Sequence, residues 1–329
     1  MAKHTDAELV ENACAAARAI KEELKKRIVG QQQVIDDLLA CFISGGHCLL
    51  IGVPGLAKTM LIQSLAQCLD LEFNRIQFTP DLMPADITGS EILSEDRATG
   101  VREFRFIRGP VFSNILLADE INRTPPKTQS ALLQAMQENE VTSAGQTYPL
   151  PTPFWVLATQ NPIEQEGTYP LPEAQQDRFM FSIEMSYPDF KSEIEIVKAT
   201  TSAQKNALGG VVDRERLTGF RDLVWRVPAA DSVVTYAVKL ARATRPDQED
   251  CPEDVKSLLT WGAGPRASQF LTLAAKAYAV LDGRPSPDID DVRRACLPVL
   301  RHRLVRTFHA EADGIAPRDI VTKIIAAVK

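Results

Sequence analysis

The sequence lacks the features expected of a membrane or secreted protein. No run of apolar residues approaches the ~18 that a transmembrane helix needs, and residues 1–6 are polar, without the apolar stretch of a signal peptide. The six cysteines are scattered without a C-x-x-C pair, and several lie in apolar periodic segments. We therefore expect buried thiols in a reducing compartment rather than disulfides or a zinc site. The protein should be cytoplasmic, without membrane insertion.

The charge balance also lacks the basic excess of a protein whose main task is to grip nucleic acid. The 329 residues contain 37 Lys and Arg against 43 Asp and Glu, a formal net charge of −6. A local basic run extends from Arg293 to Arg306, and it is open to interpretation as a nucleic-acid patch, a solvated face or a contact between subunits. We favour the last two for Arg294, Arg301 and Arg303, and expect no nucleic-acid partner.

Residues 1–186 contain short apolar strands that alternate with amphipathic helices. This alternation predicts an α/β fold with a doubly wound, parallel, five-stranded sheet. The predicted strands are 47–51, 73–78, 114–118, 154–159 and 179–183. The predicted helices around them are 5–27, which opens with a capping box at Thr5 and Glu8, then 32–44 and 127–139. Alternating segments at about 91–107 and 141–150 predict two hairpin inserts.

From residue 187 onward the pattern becomes helical. The predicted helices are 190–206, 214–225, 231–243, 252–260, 265–282, 288–300 and 317–328, and no strand there is strong enough to extend the sheet. The chain is 45% hydrophobic and long enough to bury two cores. The sequence therefore predicts an α/β domain over 1–186 and an all-α domain over 187–329.

The segment that follows the first predicted strand has the organisation of a P-loop. A Gly-Pro-Gly turn leads into Lys58-Thr59 and a helix, and the N–H groups of such a loop and helix N-terminus bind phosphate. Lys58 can bridge the β- and γ-phosphates, and the hydroxyl of Thr59 can join the ligands of Mg²⁺. Ala57 stands where the general pattern has glycine, which costs about 1 kcal/mol if φ must be positive. The alternative is a Gly-Pro turn before a core helix. The predicted nucleotide-binding residues of this segment are Gly52, Val53, Pro54, Gly55, Leu56, Ala57, Lys58, Thr59 and Met60.

Polar groups at the ends of two other strands are candidates for catalysis. Asp119 and Glu120 end an apolar strand as in a Walker B motif: Asp119 can hold Mg²⁺, directly or through water, and Glu120 can polarise the attacking water. Asn161 ends the fourth strand and can orient that water or touch the γ-phosphate. The alternatives are a helix cap for the acidic pair and a turn before Pro162 for Asn161.

Two arginines are candidates for contacts with the γ-phosphate. Arg178 precedes the fifth strand and could reach a neighbouring subunit's nucleotide as an arginine finger. The alternative is an ion pair with Asp177 or Glu173. Arg266 begins a helix after Gly-Pro, where it could sense the nucleotide and couple the helical domain to it. The alternative is an exposed arginine in the first turn.

Together, these motifs resemble those of the MoxR family of AAA+ ATPases over essentially the whole chain. The segments that carry the resemblance are Ile-Val-Gly-Gln (28–31), Gly-Val-Pro-Gly-Leu-Ala-Lys-Thr (52–59), Thr-Pro-Asp-Leu-Met-Pro-Ala-Asp-Ile-Thr-Gly (79–89), Phe-Ile-Arg-Gly-Pro-Val-Phe (106–112), Leu-Ala-Asp-Glu-Ile-Asn-Arg (117–123) and Gln-Asn-Pro-Ile-Glu-Gln-Glu-Gly-Thr-Tyr-Pro-Leu-Pro-Glu-Ala-Gln (160–175). Alanine before the P-loop lysine is also the form of that family. Thr124 and Gln176 depart from it, since alanine and leucine are usual there.

The resemblance implies a P-loop AAA+ module followed by an all-α lid, with ATP and Mg²⁺ as cofactors. It also implies a homo-oligomeric, hexameric ring with ATP between neighbours, and Val29 and Gly30 in the adenine pocket. The two hairpins would correspond to the helix-two insert and the pre-sensor hairpin. Family members remodel partner proteins that often carry von Willebrand A domains, and assist metal insertion or complex maturation.

We therefore expect MgATP hydrolysis that drives a conformational change in a partner protein. One alternative keeps the fold but makes the chain a nucleotide-gated assembly subunit without significant turnover. This alternative would require that a catalytic residue be missing from the sequence, and none is missing. The other is a nucleic-acid translocase, against which the acidic balance argues. Turnover stimulated by DNA, with a steep salt dependence, would favour it.

Overall fold

A parallel sheet forms the centre of the first half of the chain in the computed structural model, which describes residues 5–95, 102–143, 145–163, 167–201 and 207–329. The strands are, in chain order, β1 (Cys48–Ile51), β2 (Phe73–Gln77), β3 (Gly89–Glu95), β4 (Arg102–Arg108), β5 (Ile115–Asp119), β6 (Glu140–Ser143), β7 (Gln146–Pro149), β8 (Trp155–Gln160), β9 (Phe181–Glu184), β10 (Leu259–Trp261) and β11 (Val305–Arg306). The five-stranded sheet has the order β2-β5-β8-β1-β9, and all its neighbouring strands are parallel. The predicted α/β fold is confirmed.

Helices surround this sheet and make up most of the second half. They are α1 (Asp6–Leu24), α2 (Gln32–Ile43), α3 (Lys58–Cys68), α4 (Pro84–Thr88), α5 (Pro126–Glu138), α6 (Glu173–Gln176), α7 (Phe190–Thr200), α8 (Arg214–Arg226), α9 (Asp231–Arg242), α10 (Glu253–Lys256), α11 (Pro265–Leu281), α12 (Ile289–Leu300), α13 (Phe308–Ala312) and α14 (Pro317–Ala327). Two 3₁₀ turns cover Ile121–Arg123 and Arg301–Arg303. The predicted capping box of α1 is present, with Thr5 and Glu8 each bonded to the other's backbone N–H.

The strand register brings the carboxyl ends of β1, β5 and β8 together. Leu50 lies opposite Thr159, and Ala118 lies opposite Ala158. The central strands are buried on both faces, as is usual for parallel sheets covered by helices, and this explains their continuous apolar sequences. The loops that follow these strands therefore meet at one edge of the sheet, which is where ligands bind in such folds.

β9 runs parallel to β1, so the residues just before it lie at the other edge of the sheet. The N–H of Met180 donates to the carbonyl of His47, which precedes β1. β9 has four residues, and at about 3.3 Å per residue it separates its two ends by about 13 Å. The chain thus reaches Arg178 at the amino edge, whereas the P-loop leaves β1 at the carboxyl edge.

Two antiparallel hairpins lie over the ranges of the predicted inserts. β3 pairs with β4, and β6 pairs with β7. Phe106 of the first hairpin stacks on Tyr148 of the second, with ring centroids 4.2 Å apart, and it contacts Phe112 edge-on. The central parts of the predicted inserts, residues 96–101 and 144, lie outside the described residues.

The second half differs from the prediction in three elements, since the strands β10 and β11 and the helix α13 were not predicted. The predicted helix 252–260 is wrong: α10 ends at Lys256, and the chain then forms β10, which pairs with β11. A three-residue strand whose partner lies more than 40 residues away has no periodic signal, so the apolar spacing was misread as helical. The predicted helix 190–206 forms as α7 up to Thr200, and residues 202–206 lie outside the described residues.

Two hydrophobic clusters cover the two faces of the sheet. The smaller cluster packs the sheet against α5 and the hairpin bases. The larger one is continuous from α1 through α3 to α8, α11 and α12, so it includes side chains from both sides of residue 186. That residue lies in the linker between β9 and α7, and the division into domains at this point stays a prediction. Within the described ranges, none of the helices has the length and apolarity to cross a membrane.

Candidate active site

The P-loop has the backbone conformation that binds anions. Ala57 lies just before α3 with φ at 58°, and Gly55 has φ at 88°. The left-handed conformation costs alanine about 1 kcal/mol, and consecutive N–H groups arranged in this way form an anion-binding concavity. α3 has no side-chain N-cap, so its first N–H groups are available to a phosphate. The ammonium of Lys58 donates to the carbonyls of Gly52 and Val53, the latter at 3.1 Å.

A cavity of about 330 Å³ lies beside the P-loop. Six of the predicted nucleotide-binding residues line it: Val29, Pro54, Gly55, Leu56, Ala57 and Met60. Gly30 instead lines a neighbouring cavity of about 630 Å³, between the start of α2, β9 and α14. Gly52 joins the P-loop to β8 through its N–H, which donates to the carbonyl of Gln160 at 3.2 Å.

Sequence reasoning missed the outer wall of the smaller cavity. Tyr187, Ile196 and Val197, from the linker and α7, line it opposite the P-loop. α7 is amphipathic, yet none of its side chains is buried in the described structure. The amphipathic sequence pattern of α7 was the signal that could have identified this wall, because its apolar face needs a contact that the rest of the described structure does not provide.

Asp119 is held at the end of β5 by donors from both neighbouring strands. Thr159 of β8 donates its hydroxyl to Oδ1 at 2.6 Å, and Arg75 of β2 donates through Nε and Nη2 to Oδ2 at 3.0 and 2.7 Å. The side chain of Asp119 is 11% exposed. Its orientation is therefore fixed, although Oδ2 is shared with a cation of the same chain.

Glu120 lies next to Asp119 in the left-handed conformation, with φ at 57°. Its N–H donates to the hydroxyl of Thr159 at 2.8 Å, so this one hydroxyl fixes both acidic residues. Gln77 of β2 donates to Oε2 of Glu120 at 2.7 Å, and Arg123 lies 3.4 Å from the same oxygen. The sequence did not predict the contacts from Arg75 and Gln77, because it does not show the order of the strands in the sheet.

Asn161 is buried beside these groups and has an unused donor. Its Oδ1 accepts the N–H of Ile163 at 3.3 Å, as in the alternative turn role. Its Nδ2, however, is buried without a hydrogen-bond partner among the described residues. Buried polar groups are almost always paired. An unpaired amide at the carboxyl edge of the sheet is therefore suited to a ligand there.

The oxygen groups at this edge fit a magnesium ion. Mg²⁺ in phosphate-transfer sites takes one or two protein oxygens and completes its shell with phosphates and water. Asp119 and the half-buried Thr59 provide such oxygens. In the part of the chain that the structure describes, no cluster of three or more His, Cys, Asp or Glu could hold a metal by itself.

Arg178 and Arg266 lie together at the amino edge, away from the P-loop. Arg266 donates to Oδ2 of Asp177 at 2.8 Å, and Arg303 donates to Oδ1 at 2.7 Å. Arg178 is half-buried, and its guanidinium makes no hydrogen bond or ion pair with any described residue, so its predicted alternative, a pair with Asp177 or Glu173, is not formed. Neither arginine lines the cavity beside the P-loop.

The arginines of the basic run mostly contact other residues of the same chain. The side chain of Arg303 is 2% exposed, so the prediction of a solvated or subunit-contact face is wrong for it. It donates to the carbonyls of Asp177 and Phe179, both at 2.8 Å, and burial lowers its pKa to about 10. Arg301 pairs with Glu184 at 3.1 Å, and Arg294 covers the ring of Tyr278 at 4.0 Å. These guanidinium groups are satisfied within the chain.

Comparisons with known proteins agree with this geometry. Residues 47–181 match the family model described as ATPase family associated with various cellular activities (AAA), and residues 252–324 match the AAA lid domain. The chain is 44% identical to Chaperone MoxR1 of Mycobacterium tuberculosis, over 93% of this chain and 80% of that protein. It is 31% identical to Protein MoxR of Methylorubrum extorquens, over 91% and 90%.

A solved structure is equally similar. A protein from Cytophaga hutchinsonii, assigned as an ATPase, superposes with a TM-score of 0.90 at 42% identity, covering 98% of this chain and 97% of that one. Sequence, fold and the arrangement of the strand ends thus point to the same group. The chain belongs to the MoxR family of AAA+ ATPases.

Proposed function

We propose that this chain hydrolyses MgATP and uses the reaction to remodel a partner protein. The observation that carries the proposal is the meeting of the P-loop, Asp119, Glu120 and the unpaired amide of Asn161 at one sheet edge. Lys58 and the N-terminus of α3 bind the phosphates, and Val29 and Met60 lie beside the base. Thr59 and Asp119 hold Mg²⁺, which supplies charge neutralisation at the phosphates when bound.

Glu120 is the residue that orients and polarises the attacking water. Glu120 directly follows the carboxyl end of β5, and Gln77 holds its carboxylate through a hydrogen bond that must yield when water takes its place. The Nδ2 of Asn161 donates to the same water or to the γ-phosphate. Both groups lie on strand ends rather than on long loops, which keeps their separation fixed.

The chain works as a homo-oligomeric ring, which we infer to be hexameric. Arg178 and Arg266 lie at the sheet edge opposite the P-loop, about 13 Å away along β9, so they serve the nucleotide of a neighbour. Each site then combines the P-loop of one subunit with the arginines of the next. Such head-to-tail contacts close into rings.

The client is a protein, and the hairpins are the surface that contacts it. Leu93 and Phe104 form a cross-strand pair on the first hairpin with 54% and 70% of their surfaces exposed. A two-stranded hairpin that leaves such an apolar pair uncovered is typical of a docking site. The name of the mycobacterial relative includes the word chaperone. We infer a partner with a von Willebrand A domain, a maturation step such as metal insertion, and a cytoplasmic location.

Two substitutions test the chemistry. Glu120→Gln should bind ATP but lose turnover, and Lys58→Ala should lose binding, as measured with a fluorescent ATP analogue and by phosphate release. Hydrolysis by Glu120→Gln at the parent rate would refute the mechanism. The trapped Glu120→Gln form is also the form to use in a pull-down of the client.

A mixing experiment tests the ring. Lys58→Ala should be inactive alone because it lacks the P-loop cation, and Arg178→Ala should be about 10³-fold slower than the parent because it lacks the arginine. In a ring of both variants, an interface between the P-loop of an Arg178→Ala subunit and the arginine of a Lys58→Ala subunit is complete. With random equal mixing this holds at about a quarter of interfaces. If mixed rings stay as inactive as their parents, the shared site is excluded.

A further inference from the structure

Gln129 is a fully buried polar side chain that the chemistry proposed above does not use. It lies in the first half of α5, and its surface exposure is 0%. Its Nε2 lies 3.2 Å from the carbonyl oxygen of Ile121, 3.0 Å from that of Thr124 and 3.2 Å from that of Tyr169. Its Oε1 has no partner among the described residues. Three acceptors surround an amide group that carries two hydrogens.

These carbonyls belong to two segments that are far apart in sequence. Ile121 directly follows Glu120, and Thr124 ends the 3₁₀ turn that starts there. Tyr169 lies in the segment that leads through α6 to Arg178. A second bond joins the same two segments, because the N–H of Tyr169 donates to the carbonyl of Asn122 at 2.6 Å.

The segment from Tyr169 to Arg178 is short and well anchored at its far end. Leu171 is buried in the smaller cluster, and Gln176 donates to its carbonyl at 2.7 Å. Asp177 is bonded to Arg266 and Arg303 of the second half. A displacement of the segment at Tyr169 is therefore transmitted to Arg178 rather than absorbed by a free loop.

A packing role does not account for the amide. A methionine or leucine would fill the same space without placing an unpaired oxygen in the core, and such an oxygen carries a desolvation penalty. What glutamine adds is donors for the carbonyls of Ile121, Thr124 and Tyr169. Because three carbonyls share two hydrogens, a small shift of either segment changes which of them are held.

We propose that Gln129 is a positioning residue that fixes the Arg178-bearing segment to the turn that follows Glu120. Through this amide, a shift of Glu120 in one nucleotide site alters the placement of the arginine offered to the next subunit. The inference rests on the proposed function, in which Glu120 and Arg178 act at successive sites of a ring. It adds the residue that links the two.

Gln129→Met tests the proposal, with Gln134→Met as the matched control. Gln134 lies on the same helix but is exposed, bonded to Glu138 at 2.9 Å. Gln129→Met should lower kcat by about tenfold to a hundredfold, the effect of a displacement of about 1 Å, and leave KM within about twofold. The control should match the parent. The proposal is overturned if Gln129→Met changes only KM, or if it changes neither kcat nor KM.

A double-mutant cycle separates positioning from general damage. If Gln129 acts through Arg178, the variant Gln129→Met/Arg178→Ala should be no slower in single-turnover ATP cleavage than Arg178→Ala alone. Multiplying effects would mean that Gln129 acts independently, and the proposal would be wrong.

Hydrogen exchange provides a readout that needs neither turnover nor the Gln129 variant. In Glu120→Gln, ATP should change amide exchange in 167–177 together with that in 120–124. A response confined to 120–124 overturns the proposal. If the parent protein cleaves no ATP, the proposed function fails, and the link between the two segments is still judged by this exchange.

Discussion

Replacing Arg75 with methionine should strengthen the binding of Mg²⁺ together with ATP. Arg75 donates twice to Oδ2 of Asp119, at 3.0 and 2.7 Å, and once to Gln77 at 2.7 Å. An arginine on this oxygen competes with a metal ion, or with a metal-bound water, for the same carboxylate. Arg75→Met keeps the apolar stem that lies along β2 and removes the competing charge.

The magnitude follows from the exposure of the two side chains. The Arg75 side chain is 46% exposed and the Asp119 side chain 11%, so the pair lies between a surface ion pair and a buried one. Exposed pairs contribute about 0.2–1 kcal/mol, and hydrogen bonds to buried charged groups about 1.5–3 kcal/mol. A value near 1 kcal/mol predicts a gain in affinity of about fivefold.

The assay is a titration with a fluorescent ATP analogue, with and without Mg²⁺, in the Glu120→Gln background to prevent turnover. Arg75→Met should bind more tightly only when Mg²⁺ is present. Arg102→Met is the control, because Arg102 forms an exposed pair with Glu95 at 2.9 Å on the first hairpin. Equal or weaker Mg²⁺-dependent binding by Arg75→Met would mean that the arginine supports the metal site rather than competes with it.

Two further predictions concern buried groups. Asn161→Ala should cut turnover by about a hundredfold, the cost of losing one donor to developing charge. The melting temperature should change little, because the substitution removes the unpaired Nδ2 as well as the bond that Oδ1 accepts from Ile163. A lower melting temperature with parent turnover would support the turn role alone. Burial raises the pKa of Asp37 to about 6 although Tyr278 and Gln33 donate to it. Between about pH 4 and 6, the folded protein therefore binds more protons at Asp37 than the unfolded protein does. The contribution of Asp37 to the free energy of unfolding falls as the pH rises. Asp37→Asn should remove it, so the free energy of unfolding in urea, relative to the parent, should rise by about 3 kcal/mol from about pH 4 to 7. A difference that does not vary with pH would refute this. Buried His47, whose pKa is lowered to about 4, gives the parent an opposite slope and is unaffected by the substitution.

The elements that the sequence predicts correctly are those with a local signal. The apolar strands, the capping box at Thr5 and the P-loop are each visible within a few residues. Ala57 is instructive, because its place in the motif raised the question of a positive φ, and the structure shows one of 58°. The common edge of the strand ends followed from the rule for parallel sheets rather than from any single residue.

The parts that the sequence did not predict depend on strand order and long-range packing. Arg75 and Gln77 look like ordinary polar residues of a half-exposed strand until β2 is known to pair with β5. Arg303 belongs to a basic run and was predicted to lie on a solvated face or in a subunit contact, but Asp177, more than 100 residues earlier, offers it a half-buried carboxylate. Gln129 falls among the polar positions of an amphipathic helix, and only the fold reveals the three carbonyls around it.

The bonds of Asp177 connect the helical half to the placement of Arg178. Arg303 is nearly fully buried, and a buried guanidinium that loses its carboxylate is destabilised by about 3–5 kcal/mol. Arg303 also donates to the carbonyls of Asp177 and Phe179, on either side of Arg178. A change in the angle between the helical half and the sheet must therefore either break these bonds at considerable cost or carry the Arg178 segment with it. The second course preserves the pair between Arg303 and Asp177. Closure of the helical half over a nucleotide in one subunit would then shift the arginine presented to its neighbour.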